Sequence, residues 1–331
     1  MTALQRASWE IADRMKMEKV RIGVVGIGHL GQFHLQKYAK LENCEIVGAS
    51  DVLEERAAKA AALHGCQAVT DYRKMIGSVD AVSIAVPTQC HHAVAKAFLE
   101  AGVHVLLEKP IAETLAQADE LIALADKSRL VFQIGFVERF NPAVVALREV
   151  IGRPLFIESH RLHPFFERGT DVDVILDLMV HDLDIILHFV NSPLQDVDAV
   201  GTAVLSDKVD IANARLRFQN GCAANITASR ISIKTMQKVR FFGLEGYHAV
   251  DFAKRDLLSL QRLKGPQGQI EIVQNHVEII QKDPLEEEIR SFIDAVVQGT
   301  PAVVPGREGR RALDVALRIL DEIKKAQDKV L

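Results

Sequence analysis

The first part of the chain, residues 19 to about 140, alternates short apolar runs with longer segments that contain polar residues. The apolar runs are rich in β-branched residues, as in strands buried on both faces of a parallel sheet. They predict strands at 20–25, 44–50, 68–69, 80–86, 103–107 and 130–135, with helices such as 32–41, 57–64, 92–101 and 115–127 between them. Strands separated by helices of this length form a parallel α/β sheet.

From residue 154 the pattern changes to successive short strands with Gly/Asn turns between them. The predicted strands are 156–162, 197–204, 213–218, 223–229, 238–242, 248–252, 257–263 and 270–273. Consecutive strands joined by short turns are antiparallel. We therefore predict an extension at 1–18, an α/β domain at 19–140, and an α+β domain at 141–284 with an open, mostly antiparallel sheet. C-terminal helices within 285–331 are expected to pack back on the first domain.

Composition sets limits on the partners. A chain of 331 residues is longer than a single core usually supports, which agrees with two domains. With 48% hydrophobic residues and a net charge of −4, the chain lacks the basic excess of proteins that bind nucleic acid or anionic membranes. No apolar stretch has the length of a membrane span. From this charge and composition we expect small-molecule partners. The cysteines show no C-x-x-C spacing, which suits reduced thiols in a cytoplasmic protein.

A Gly-rich turn, Gly26-Ile27-Gly28-His29-Leu30-Gly31, joins the first predicted strand to the first helix. In dinucleotide-binding turns the first glycine permits the tight turn, the second lets the backbone approach phosphate, and the third allows close helix packing. The pyrophosphate then lies at the helix N-terminus. We accordingly assign Gly26, Gly28 and Gly31 to cofactor binding, together with His29 and Leu30.

Asp51 follows the second predicted strand, and 51 − 31 = 20 residues separate it from the last glycine of the turn. This is the spacing of an acid that hydrogen-bonds the adenosine ribose. Because a carboxylate repels a 2′-phosphate, the sequence favours NAD over NADP. Arg56, five residues further on, keeps NADP as the less favoured alternative.

Two further segments are expected at the carboxyl edge of the same sheet, where open α/β folds bind ligands. One is Glu108-Lys109-Pro110, which closes the strand at 103–107, and the other runs from Pro87 to His91 after the strand at 80–86. We predict that Pro87, His91, Glu108 and Lys109 contact the cofactor, with Glu108 on the nicotinamide ribose.

In the second domain, Asp177 and His181 are spaced i and i+4 on a predicted helix, so that both side chains project from one face. Asp184, three residues further on, shares this face. Histidine exchanges its proton near neutral pH, and a neighbouring carboxylate can orient it or contact a sugar hydroxyl. A metal site from His181, Asp182, Asp184 and His188 is discounted, because alternate helix residues face opposite ways.

Taken in order, these motifs resemble one family. They are Gly26-x-Gly28-x-x-Gly31-x-x-His34, Pro87-x-x-x-His91, Glu108-Lys109-Pro110, Gly135-x-x-x-Arg139-Phe140-Asn141-Pro142 and Asp177-x-x-x-His181. The order is similar to that of the glucose-fructose oxidoreductase, inositol dehydrogenase and rhizopine-catabolism family of NAD(P)-dependent oxidoreductases. The resemblance runs from about residue 20 to 325. It implies a Rossmann domain, then an open sheet whose exposed face is buried in a homodimer or homotetramer, and it implies that Lys109 and His181 carry the chemistry.

A narrower likeness concerns residues 171–184 and 225–230, which look like the bacterial subgroup that oxidises the 3-hydroxyl of UDP-N-acetylglucosamine. One departure from the wider family lies just before Asp177. Many members have a Gly-Gly pair there, whereas this chain has Val174-Ile175-Leu176. The departure bears on the shape of the substrate pocket more than on the reaction.

Several alternatives stay open at this point. Either His181 accepts the hydroxyl proton while Lys109 hydrogen-bonds the developing alkoxide, or Lys109 is itself the base. Arg139 and Asn141 either contact substrate or cap the connection between the domains. The preferred function is an NAD-dependent dehydrogenase of a sugar or nucleotide sugar. The alternatives are a dehydrogenase of inositol or a non-sugar substrate, and a catalytically silent NAD-binding regulator.

Overall fold

The computed structural model describes residues 19–165, 172–265 and 268–328. The predicted extension at 1–18 lies outside these residues. The chain divides into two compact units, and both contain segments that are distant in sequence. Among the described residues, the first comprises 19–135 together with 285–306, and the second comprises those within 136–284 together with 307–328.

The first unit contains a six-stranded parallel sheet, as the alternating pattern predicts. Its strands lie in the order β3-β2-β1-β4-β5-β6. The strands are β1 (Val20–Val25), β2 (Cys44–Ser50), β3 (Gln67–Val69), β4 (Ala81–Ile84), β5 (His104–Glu108) and β6 (Phe132–Gly135). The helices are α1 (His29–Tyr38), α2 (Glu54–His64), α3 (Thr88–Glu100) and α4 (Leu115–Ser128), with a short 3₁₀ helix at Tyr72–Met75. The strand order reverses between β1 and β4, which is where such sheets bind ligands.

The second unit is built on an eight-stranded sheet in the order β14-β13-β12-β11-β7-β10-β9-β8. Its strands are β7 (Pro154–Leu162), β8 (Leu194–Thr202), β9 (Ile211–Phe218), β10 (Ala223–Ser229), β11 (Met236–Gly243), β12 (Gly246–Asp251), β13 (Asp256–Lys264) and β14 (Ile270–Asn275). Neighbouring strands are antiparallel except β7 and β10, which are parallel. The mostly antiparallel sheet is therefore confirmed.

Short helical elements precede and cover this sheet. They are a 3₁₀ turn at Val137–Phe140, α5 (Pro142–Leu147), a π-helical turn at Ile175–Met179 and α6 (Val180–Val190). Helix α6 packs on one face of the sheet, where the rings of Phe189 and Phe241 meet edge to face with centroids 5.4 Å apart. Buried residues alternate along β9, so this strand directs one side chain in two into the core.

The two C-terminal helices separate, which differs from the predicted packing of both on the first domain. Helix α7 (Pro284–Gln298) does join the first unit, where Ile289, Phe292 and Ile293 are fully buried in its hydrophobic core. Helix α8 (Gly306–Asp328) belongs instead almost wholly to the second unit, and the Gln327 side chain donates to the main-chain carbonyl of Gly201. Amphipathic periodicity indicates that a helix has an apolar face. It does not indicate which hydrophobic core that face packs against.

Candidate functional site

The Gly-rich turn between β1 and α1 has little room for side chains at two of its three glycines. Gly26 has φ of +87°, and a Cβ atom there would lie 2.5 Å from the carbonyl oxygen of Ala85. At Gly31 a Cβ atom would lie 1.8 Å from the carbonyl oxygen of Gly26. At Gly28 it would meet no atom within 4 Å. The space over Gly28 is what a phosphate needs to reach the backbone, so the turn fits a dinucleotide.

Asp51 lies just beyond β2 and is buried. Its Oδ2 accepts from the main-chain N–H of Ile27 at 2.8 Å, and its Oδ1 accepts from the N–H of Leu53 at 2.9 Å. The carboxylate therefore holds the Gly-rich turn in place. Two carboxylate oxygens offer about four acceptor positions, so these two bonds leave capacity for a ribose hydroxyl.

Residues His29 and Leu30 begin helix α1, and both are exposed. The His29 ring meets Phe33 edge to face, with centroids 4.8 Å apart. Pro87 is exposed immediately before α3. All three lie near the carboxyl edge of the parallel sheet, where the sequence predicts the cofactor site.

A buried polar chain extends from Glu108 into the first unit. Glu108 Oε1 lies 3.0 Å from His34 Nε2, His34 Nδ1 lies 3.1 Å from Ser83 Oγ, and Ser83 Oγ lies 2.7 Å from the Tyr38 hydroxyl. Burial would raise the pKa of Glu108, but the hydrogen bond and charge of His34, together with the charge of Lys109, hold it below its ordinary value. Glu108 is therefore an anchored anion. Ser83 and Tyr38 belong to no motif, so the sequence analysis did not identify them.

Lys109 follows Glu108 at the carboxyl end of β5 and is half-buried, and the Lys109–Pro110 peptide bond is cis. On helix α3, His91 is buried and directs its two ring nitrogens at main-chain carbonyls. Nδ1 lies 2.7 Å from Pro110 O, and Nε2 lies 2.9 Å from Val86 O. The structure thus places His91 beside the lysine segment, with both nitrogens occupied by main-chain carbonyls.

In the second unit, Asp177 lies in the π-helical turn and His181 in the first turn of α6. This differs from the predicted regular helix, because a π turn contains one extra residue and such turns occur frequently at functional sites. Both side chains are half-buried. The His181 ring meets Phe136 edge to face with centroids 6.2 Å apart.

The segment before the π turn is tied to a neighbouring loop. Asp173 Oδ1 accepts from the N–H of Val209 at 2.8 Å, and Val174 N–H donates to Val209 O at 2.9 Å. The buried Arg230 guanidinium donates to Val172 O at 2.9 Å and to Asp210 Oδ1 at 2.8 Å. These bonds fix the backbone that leads into Asp177.

Two buried ion-pair networks hold the start of α6. In the first, the Arg161 guanidinium on β7 donates to Asp182 at 2.8 Å and to Glu138 at 3.1 Å. Ser159 also donates to Asp182, at 2.9 Å. Asp182 is adjacent to His181, so this network fixes the backbone beside the histidine. Arg161 lies outside the motifs and Glu138 occupies an unspecified position within one of them, so the sequence analysis identified neither residue.

In the second network, Arg139 donates to both oxygens of Asp184, at 2.6 and 2.8 Å, and to Glu308 at 2.9 Å. Burial raises the pKa of Asp184 to about 6, although Arg139 opposes the shift. Asn141 accepts from the N–H of Ala143 at the start of α5 and donates to Glu138. These hydrogen bonds of Arg139 and Asn141 brace the segment that follows β6.

Comparisons with known proteins cover both units. Residues 20–136 match the family model described as the GFO/IDH/MocA oxidoreductase family, NAD-binding Rossmann fold, and residues 146–248 match that of the GFO/IDH/MocA C-terminal domain. The chain is 40% identical over 305 residues to UDP-N-acetylglucosamine 3-dehydrogenase of Acidithiobacillus ferrooxidans, which covers 92% of this chain and 97% of the relative.

A solved structure and one further relative extend the comparison. The solved structure of the Acidithiobacillus ferrooxidans enzyme has a TM-score of 0.85 at 39% identity and covers 93% of this chain and 99% of that one. Myo-inositol 2-dehydrogenase of Thermotoga maritima is 27% identical over 313 residues, 89% of this chain and 93% of the relative. The predicted family resemblance is therefore confirmed along nearly the whole chain.

Proposed function

The chain belongs to the GFO/IDH/MocA family of NAD-binding oxidoreductases, and from this premise we propose that it oxidises the 3-hydroxyl of UDP-N-acetylglucosamine to the ketone. The substrate assignment rests on the similarity to the Acidithiobacillus ferrooxidans dehydrogenase. This similarity extends over 92% of this chain and 97% of the relative. The myo-inositol dehydrogenase of Thermotoga maritima is less similar, at 27% identity. We therefore favour a nucleotide sugar over inositol.

We assign NAD as the hydride acceptor. When bound, NAD supplies an electrophilic nicotinamide carbon that takes hydride from the alcohol. The residues Gly26, Gly28 and Gly31 shape the turn for its pyrophosphate, and Asp51 lies at the end of β2, where an acid accepts from the adenosine ribose. A 2′-phosphate beside Asp51 would place two anions together, which supports NAD over NADP.

The proton is moved by the chain's own residues in this mechanism. His181 accepts the proton of the substrate hydroxyl as hydride leaves the same carbon, and Asp177 orients the imidazole or a neighbouring sugar hydroxyl. Lys109 hydrogen-bonds the oxygen on which negative charge develops. We prefer His181 as the base because a histidine ordinarily exchanges its proton near neutral pH, whereas a lysine is ordinarily charged there.

The test is formation of NADH, followed by its absorbance, with UDP-N-acetylglucosamine as substrate. UDP-glucose, which lacks the acetamido group, and myo-inositol serve as matched alternatives. We expect turnover with UDP-N-acetylglucosamine to exceed that with both of the others. Preferred turnover of myo-inositol would reassign the substrate, and NAD binding without turnover of any alcohol would favour the silent regulator.

We also propose that the enzyme is a homodimer or homotetramer joined through the open sheet. Aromatic side chains cluster on the face opposite α6, where Phe242 lies between Phe156 and Tyr247 with centroids 5.6 and 5.0 Å away. Leu258, on the same face of β13, is 38% exposed. A second copy would remove this apolar surface from water.

We place the reaction in the cytoplasm. Cys44, Cys66, Cys90 and Cys222 are free thiols, and Cys90 is exposed. Reduced thiols are the ordinary state of cysteine in that compartment. Within the described part of the chain, no helix has the length and apolar character needed to cross a bilayer.

A further inference from the structure

Buried histidine His91 links the ends of two neighbouring strands. It is 1% exposed, and its ring nitrogens reach carbonyls that lie outside its own helix. Val86 follows the end of β4, and Pro110 follows Lys109 at the end of β5. The contacts of 2.9 Å to Val86 O and 2.7 Å to Pro110 O therefore tie the two strand ends together. Burial of an imidazole is costly unless its nitrogens are bonded, so these contacts also explain how the ring is accommodated.

Lys109 lies between two anchored neighbours. On its N-terminal side, the Glu108 carboxylate is held by His34. On its C-terminal side, the Pro110 carbonyl is held by His91, and Pro110 is itself buried. The backbone is thus fixed immediately before and immediately after the lysine, which determines where its side chain begins.

The two carbonyl partners determine how many hydrogen bonds the His91 ring can make in each protonation state. A carbonyl oxygen only accepts hydrogen bonds, so both contacts are bonds when both ring nitrogens carry a proton. Burial lowers the pKa of His91, whereas the carbonyls and the charge of Glu108 oppose this shift and the charge of Lys109 adds to it. A neutral ring keeps one N–H, so it still donates to one of the two carbonyls.

We propose that His91 is a positioning residue for Lys109, acting through the Pro110 carbonyl, and that it does not contact the cofactor or the substrate. The role of Lys109 in the reaction rests on the proposed function. A displacement of about 1 Å in a catalytic group can lower a rate by about 10²-fold. Loss of the His91 bridge should therefore reduce kcat while the affinity for NADH remains.

Three variants test the proposal. His91→Leu removes both donors, whereas His91→Gln keeps a side-chain amide whose two N–H groups can reach the carbonyls. His92→Leu is the matched control, because His92 is the next residue of α3 and its ring contacts the exposed Glu120 instead. We expect kcat to fall by about 10- to 10²-fold in His91→Leu, to recover largely in His91→Gln, and to stay parental in His92→Leu. Titration calorimetry with NADH should give similar Kd values for all four proteins.

A second measurement needs no substrate. Hydrogen exchange followed by mass spectrometry should show faster exchange of the amides at 109–114 in His91→Leu than in the parent or in His92→Leu. If His91→Leu does not fold, His91→Phe replaces it, since its ring has a similar shape and carries no N–H donor. Should the parent fail to oxidise nucleotide sugars, the substrate assignment falls while the exchange result still decides the role of His91. Parental kcat together with parental exchange would overturn the proposal, and so would a loss of NADH affinity that matches the loss of kcat.

Discussion

Asp51 accepts a hydrogen bond from the main-chain N–H of Ile27, with 2.8 Å between Oδ2 and N. The acid that is expected to meet the adenosine ribose thus also supports the turn that is expected to meet the pyrophosphate. One side chain thereby couples two parts of the proposed cofactor site, and substitutions at Asp51 should change both affinity and selectivity.

The first prediction concerns this coupling. Asp51→Ala should weaken NAD binding and narrow the preference for NAD over NADP, because it removes both the acceptor and the charge that opposes a 2′-phosphate. Asp51→Asn keeps an acceptor oxygen without the charge, so it should retain more NAD affinity while still admitting NADP. Calorimetric titration with each dinucleotide measures both effects. Equal affinities of the parent protein for NAD and NADP would contradict the assignment.

The second prediction concerns catalysis. His181→Ala should lower kcat by about 10² to 10⁴, the usual effect of losing a proton-transfer group. Lys109→Ala should lower kcat by about 10² to 10³, the usual effect of losing a donor to a developing oxyanion. The Kd for NAD should change much less, since the Gly-rich turn and Asp51 remain intact in both variants. Steady-state kinetics with the preferred substrate, alongside titration with NAD, separates the two quantities. A variant that turned over at the parental rate would remove its residue from the mechanism.

The third prediction concerns the support of α6. Arg161→Met should destabilise the protein by about 3–5 kcal/mol, because it leaves the buried Asp182 carboxylate and the half-buried Glu138 carboxylate without their counterion. Arg217 provides the control. Its guanidinium is exposed and lies 3.9 Å from an exposed Asp196, so Arg217→Met should change stability by less than about 1 kcal/mol. Urea unfolding measures both values, and equal effects would argue against the network.

The fourth prediction concerns acid stability. Burial, with the charges of Arg139 and Arg148, lowers the pKa of His188 to about 4 from its ordinary value of 6.5. Because the unfolded chain then binds more protons between pH 4 and 6.5, this contribution to stability is present at neutral pH and is lost as the pH falls through that window.

His188→Gln should therefore lose less stability than the parent between pH 7 and pH 5. The raised pKa of Asp184 has the opposite dependence, but Asp184 is present in both proteins. Urea unfolding at pH 7 and pH 5 gives the loss of stability of each protein. The difference between the two losses is the contribution of His188. Parallel losses in the two proteins would show that His188 does not contribute.

The fifth prediction concerns assembly. Light scattering at micromolar concentration should give the mass of a dimer or tetramer. Phe242→Glu, at the centre of the aromatic cluster, should shift this mass towards the monomer by introducing a charge that an interface would have to desolvate. Leu63→Glu is the control, because Leu63 is 73% exposed and lies on helix α2 of the first unit, outside the open sheet. A monomeric parent protein would refute the assembly.

Much of the fold could be predicted because its signals are local. Continuous β-branched runs identified the parallel strands, and β1, β2 and β10 have the bounds that the sequence predicts. The Gly-rich turn could also be identified, since a glycine is needed at Gly26 and Gly31 for reasons of backbone geometry. Helix α1 begins at His29, three residues earlier than predicted, because the turn leads directly into it.

The supporting residues of the candidate site could not be predicted, because they depend on contacts between distant segments. Arg161 and Asp182 are 21 residues apart and have no motif in common. Ser83 and Tyr38 meet within the core of the first unit. The sequence identified His91 as a polar residue at the sheet edge. Its two partners are main-chain carbonyls, which every residue has, so the sequence could not indicate which ones it contacts. The π turn at Ile175–Met179 likewise has the composition of an ordinary helix.

The path of the chain limits how this protein can be divided or recombined. The polypeptide leaves the first unit after Gly135, returns for Leu285–Gly306, and then leaves again. A fragment that stopped at Gly135 would lack Ile289, Phe292 and Ile293, and their absence would expose the apolar surface they cover. A chimera that exchanges substrate specificity between relatives therefore needs three junctions, so that α7 remains with its own nucleotide-binding half.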